Sequence, residues 1–121
     1  MALKKLAGND LDIYSGNDDQ VIPILSLGGI GVISVLSNVR PAAVHDMVME
    51  YLNGNIKSAL DIQLKYLDLI EALFCEVNPI PVKAAMKLLG YDVGGLRLPL
   101  TELEDANRAR LKESMESLKE N

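Results

Sequence analysis

From Val21 to Val39 the chain carries no charged side chain, and three glycines, Gly28, Gly29 and Gly31, interrupt that stretch near its middle. An uncharged run of this kind approaches the ~20 residues that a membrane-spanning helix needs. The glycines argue against a span, because each costs a helix interior about 1 kcal/mol relative to alanine, and Pro23 removes a backbone donor as well. The run divides instead into two apolar elements joined by a glycine turn. The second, Gly31-Val-Ile-Ser-Val-Leu36, is β-branched and apolar on both faces, the pattern of a strand covered on both sides in a parallel sheet.

The neighbouring segments complete that picture. Asp10–Ser15 alternates Leu11 and Ile13 with Asp12 and Tyr14, which predicts another strand. Asn17, Asp18 and Asp19 predict a helix N-terminus, with the helix reaching Leu27 and Pro23 forcing a late start or a kink. Ser37, Asn38 and Pro41 open a further helix with an apolar stripe of Val44, Met47, Val48, Tyr51 and Leu52, closed by Asn53-Gly54-Asn55. Residues 10–53 therefore read as strand, helix, strand, helix: two βα units whose strands lie parallel.

The remainder reads as helical. Ile56 to Phe74 predicts one helix, with an apolar face wide enough to require partners on more than one side. Asn78-Pro79-Ile80-Pro81 starts another, which reaches Leu89 and stops at Gly90. Gly94–Pro99 is a loop. Thr101-Glu-Leu-Glu104 matches a capping box, and a last helix follows with Leu103, Leu111, Met115 and Leu118 on one face. Two parallel strands alone make a poor sheet, open at both edges. The chain is expected either to borrow strands from a partner or to belong to a larger α/β domain.

Composition narrows the chemistry. Among 121 residues, 12 Lys and Arg face 17 Asp and Glu, a net charge of −5, so phosphate neutralisation and nucleic-acid binding are not expected. One cysteine, Cys75, excludes an internal disulfide and a cysteine-cluster zinc site, and one histidine, His45, excludes sites that need two. No metal or cofactor is expected. The basic N-terminus is followed by an apolar run too short for a signal peptide, and the expected compartment is a reducing, cytoplasmic one.

Four segments in order then resemble one family. Ile13-Tyr-Ser-Gly-Asn-Asp18, Leu27-Gly-Gly-Ile-Gly-Val-Ile-Ser-Val-Leu-Ser-Asn38, Glu76-Val-Asn-Pro-Ile-Pro-Val-Lys-Ala-Ala-Met86 and Leu96-Arg-Leu-Pro-Leu100 resemble the C-terminal part of the dihydrodipicolinate synthases, and the third segment suits these better than their sialic-acid lyase cousins. The resemblance implies an α/β fold: the C-terminal part of a (β/α)8 TIM barrel, with residues 1–53 as its last two βα units and 54–121 as a C-terminal helical bundle. A whole barrel needs ~250 residues. The family condenses pyruvate with aspartate semialdehyde on the route to diaminopimelate and lysine, holding pyruvate as a Schiff base on a lysine while a tyrosine-centred relay moves protons. Both belong to segments earlier than any here, so the chain alone is expected to be inactive. The family also implies a homo-oligomer, commonly a tetramer.

Site residues follow from the same resemblance. Gly16 and Asn17 would line the site near the second substrate, although relatives often carry Asp where Asn17 stands. The main-chain carbonyl of Ile33 would face pyruvate. Against these stand plain turn-and-cap chemistry and an ordinary buried strand residue. Lys83 sits in a motif, yet a helix stem with a solvated ammonium is the expected reading, as for Lys4 and Lys5. Gly28–Gly31 precedes a strand where a phosphate loop would open a helix. Adjacent Asp18 and Asp19 do not face one another as an acid/base pair. His45 is expected in solvent and Cys75 as an inert thiol. Two other functions stay open: an interaction module that docks an N-terminal partner or itself, and a related pyruvate aldolase with another acceptor.

Overall fold

A computed structural model of the chain describes residues 2–118. It divides into two compact units, the first ending at Lys65 and the second beginning at Tyr66. The first unit opens with helix α1 (Ala2–Ala7), strand β1 (Tyr14–Ser15), a 3-10 turn over Asp18–Gln20 and helix α2 (Val21–Ser26). Strand β2 (Gly31–Val32), a second 3-10 turn over Leu36–Asn38, helix α3 (Pro41–Leu52) and helix α4 (Ile56–Lys65) follow.

The two strands pair in parallel, Tyr14 opposite Gly31 and Ser15 opposite Val32. Ile30 N donates to the Ile13 carbonyl and Ile33 N to the Ser15 carbonyl, each at 2.9 Å, extending the ladder at both ends. The expected strands over 10–15 and 31–36 are therefore much shorter. With one neighbour each, their outer residues have no second ladder to join. Beyond Ile33, moreover, the Val35 and Leu36 amides are taken by a side chain, described below. Gly31 is needed for the approach, since a Cβ there would lie 3.0 Å from the Tyr14 ring.

Pro23 is accommodated by a late start. Helix α2 begins at Val21, which puts the proline in its first turn, where backbone N–H groups lack intrahelical partners. The helix stops at Gly28, whose φ of 86° only glycine adopts readily. There Gly28 N bonds the Leu25 carbonyl at 3.0 Å and Gly29 N reaches the Ile24 carbonyl at 2.9 Å, the paired closing bonds of a Schellman stop. Val21, Leu25 and Met47 form a buried cluster, with Ile22, Val32, Val48, Tyr51 and Ile62 packed against it. Helices α2, α3 and α4 thus share one core, to which β2 contributes Val32.

The second unit contains helices α5 (Leu67–Leu73), α6 (Ile80–Leu88) and α7 (Asp105–Ser117). Leu69, Ile70, Leu73, Ala85, Leu103, Leu111 and Met115 are among its buried residues. The single helix expected over 56–74 is interrupted at Tyr66. A straight helix offers one stripe. The broad apolar set is served by two helices, α4 burying Ala59 and Gln63 and α5 burying Leu69, Ile70, Ala72 and Leu73.

The capping box also fails. Helix α7 starts at Asp105 with Glu104 at its cap and no side-chain cap bond. The acceptor comes from elsewhere: Glu76 Oε1 takes the Glu104 amide at 3.1 Å and the Asn107 side-chain amide at 2.7 Å. A carboxylate there also meets the positive end of the helix dipole. Glu76→Ala is expected to cost about 1 kcal/mol, as a lost cap does, read as a lower urea midpoint.

Candidate functional site

Chemistry on parallel strands gathers at their C-terminal ends, where the loops that follow converge. At that end, Gly16 and Asn17 follow β1 and Ile33 follows β2. The Ile33-to-Ser15 bond ties the two together. Gly16 and Asn17 are exposed, and Ile33 is 72% exposed although strongly apolar. A Cβ added at Gly16 would meet nothing within 4 Å.

The turn after β1 is held by Ser15. Its buried hydroxyl donates to the Asn17 carbonyl at 2.7 Å and accepts from the Asn17 amide at 3.2 Å. Asn17 has extended backbone and makes no side-chain cap bond, so its expected capping role is not observed. The loop after β2 is held by Asp18. Its carboxylate is 1% exposed, and Oδ2 accepts from Val35 N and Leu36 N, both at 2.9 Å. Ser34 and Ser37 add reciprocal bonds of 2.8 and 3.0 Å across the same 3-10 turn. Asp19 is exposed while Asp18 is buried, so the two do not act as a pair.

Sequence reasoning missed the reach of Asp18 and missed Gln63 entirely. Gln63 is buried in α4. Its Nε2 donates to the Asp18 carbonyl at 2.8 Å and its Oε1 accepts from Ile22 N at 3.4 Å. The available signal was an amide four residues after Ala59, on the face that α4 buries.

The structure gives the other candidates separate tasks. Lys83 is half-buried, and its ammonium donates to the Gly95 carbonyl, fastening α6 to the following loop rather than standing free in water. His45 is exposed beside Asp46, 3.1 Å away. Gly28–Gly31 serves as helix stop and turn. Among the described residues no group of three or more His, Cys, Asp and Glu is placed to hold a metal, and no helix is long and apolar enough to cross a membrane.

Cys75 lies half-buried after α5. Burial, and then the Glu76 carboxylate, push its thiol above the usual range. Less thiolate exists at a given pH, so alkylation at pH 8 is expected to run several-fold slower than for a free cysteine peptide. Glu76→Gln keeps an oxygen for the α7 amide but removes the charge, and is expected to speed that reaction.

Paired parallel strands joined through a helix make this an α/β protein, with loop residues gathered at the strands' C-terminal ends. Comparison with known proteins gives the family. The dihydrodipicolinate synthetase family model matches residues 1–118, and the chain belongs to that family. The 4-hydroxy-tetrahydrodipicolinate synthase of Clostridium tetani is 58% identical over 113 residues, covering 93% of this chain and 38% of the relative. The crystal structure of dihydrodipicolinate synthase from Aquifex aeolicus superposes with a TM-score of 0.93 at 37% identity, covering 98% of this chain and 40% of that one. A chloride-inhibited dihydrodipicolinate synthase from Acinetobacter baumannii complexed with pyruvate gives a TM-score of 0.89 at 34% identity, covering 95% and 40%. The chain spans about two fifths of the length of the curated relatives it matches, 37% of one and 43% of another.

Proposed function

We propose that this chain is the C-terminal part of a pyruvate-dependent Schiff-base synthase that condenses pyruvate with aspartate semialdehyde, and that it is inactive alone. The observation that carries the reading is the strand pair, whose C-terminal ends bring Gly16, Asn17 and Ile33 to one edge in a chain of this family. Residues 1–53 supply two βα units of the barrel wall, and residues 54–121 the helical region beyond it. The amine that captures pyruvate and the proton relay belong to the part of the barrel not represented here.

The residues present would shape the pocket rather than perform the covalent step. The Ile33 carbonyl would face bound pyruvate, which asks nothing of an apolar side chain. Gly16 and Asn17 would border the aldehyde acceptor. The pyruvate complex of the Acinetobacter relative supports the substrate class. The reading includes a cytoplasmic homo-oligomer without a cofactor.

Borohydride trapping with pyruvate tests it. No pyruvyl adduct is expected on the 121-residue chain, whereas the polypeptide completed with its upstream segment is expected to gain one and to consume aspartate semialdehyde. An adduct on the chain alone would contradict inactivity, and consumption of a different aldehyde would favour the related aldolase. Exposed Leu11, Tyr14 and Ile33 beside the strand pair favour docking of the missing barrel wall. A chain that stays monomeric and fails to bind an added N-terminal segment would count against that docking.

A further inference from the structure

We propose that Asp18 is a positioning residue for the substrate-facing carbonyl of Ile33, acting through the backbone of the loop after β2; the proposal rests on the function inferred above. Two brackets hold that loop. On the strand side, Ile33 N bonds the Ser15 carbonyl at 2.9 Å. Two residues later the Asp18 carboxylate grips Val35 N and Leu36 N through one oxygen, Oδ2. The direction of the Ile33 carbonyl depends on the torsions between these brackets, those of Ile33, Ser34 and Val35. Ser34 is itself tied to Ser37.

Asp18 is a stable anchor because it is anchored in turn. Gln63 donates to its carbonyl from α4, and the side chain is almost fully buried. Its second oxygen, Oδ1, is buried without a hydrogen-bond partner among the described residues. A buried acceptor left unpaired is costly, so the carboxylate is not placed for solvation. One oxygen performs the observed task, and the loop geometry therefore needs an acceptor at this position rather than a charge. An asparagine can supply that acceptor and an alanine cannot.

Hydrogen exchange on the 121-residue chain tests the geometry, with α3 as the internal measure of folding. Asp18→Ala is expected to speed exchange across 33–38 by about tenfold while α3 keeps its protection, and Asp18→Asn to stay near wild type. Unchanged exchange across 33–38 in the alanine variant would overturn the proposal. Should alanine melt α3 as well, the asparagine variant decides: native protection of 33–38 supports the proposal, and its loss overturns it.

Kinetics of the completed polypeptide test the role. Asp18→Ala is expected to raise KM for pyruvate by about tenfold, with a smaller change in kcat and recovery in Asp18→Asn. Unaltered kinetics in an Asp18→Ala enzyme would overturn the role of Asp18 alone. A completed wild-type polypeptide that forms no pyruvyl adduct would overturn the function itself, and the substrate role of Ile33 with it.

Discussion

Gly29→Ala is expected to be among the most damaging single substitutions in the first unit, costing about 3 kcal/mol, the upper end for overpacking a closed site. The reason is contact rather than backbone freedom, because Gly29 does not adopt a positive φ. A Cβ there would lie 2.6 Å from Ile24 Cγ2 and 2.8 Å from the Ile24 carbonyl oxygen. The side chain is β-branched and stiff. The carbonyl is fixed, since it accepts from both Leu27 N and Gly29 N in the turn that ends α2. Relief would require opening the helix stop and moving the entry into β2. Gly16→Ala is the matching control. It has open space and an ordinary φ, so its stability should stay within about 0.5 kcal/mol of wild type. Urea unfolding followed by circular dichroism compares the pair. Equal midpoints for the two variants would refute the steric argument.

The contrast between these glycines shows what the sequence discloses and what it hides. Glycine stops, proline starts and 3.6-residue stripes are local signals. Helix α3 begins at Pro41 and ends before Asn53 as those signals predict, and α6 ends before Gly90. The parallel pairing of two strands was likewise legible from the order strand, helix, strand. Interactions between distant positions leave no such mark. Asp18 looks like one more acid in a first turn, yet its carboxylate serves amides 17 and 18 residues away. Thr101 and Glu104 spell a capping box, but the acceptor that meets α7 is Glu76, 28 residues before the amide it takes. Ile33 reads as the middle of a buried strand, whereas the strand has ended and its side chain is exposed. That last difference has a direct physical origin. With a single neighbour the ladder is short, β2 ends at Val32, and Ile33 falls in the loop that follows.

Leu36→Ala is expected to be comparably severe, and it probes the same loop from its buried side. Leu36 has no solvent exposure, and its 3-10 turn packs against α3. Truncating a fully buried leucine removes apolar contacts and leaves a cavity that the surroundings fill only partly, at a cost of about 2–5 kcal/mol. The position resists collapse, because Asp18 holds the Leu36 amide and the Leu36 carbonyl accepts from Val39 N at 3.0 Å and Arg40 N at 2.8 Å. A backbone tied at both its donor and its acceptor cannot follow the lost side chain inward. Leu36→Met, nearly equal in volume, should cost less than about 1.5 kcal/mol. The urea midpoint should therefore fall sharply for alanine and little for methionine, with the slope of the transition preserved in both. If alanine and methionine shift the midpoint equally, packing is not what Leu36 contributes, and the loop carrying Ile33 is held by its hydrogen bonds rather than by that side chain.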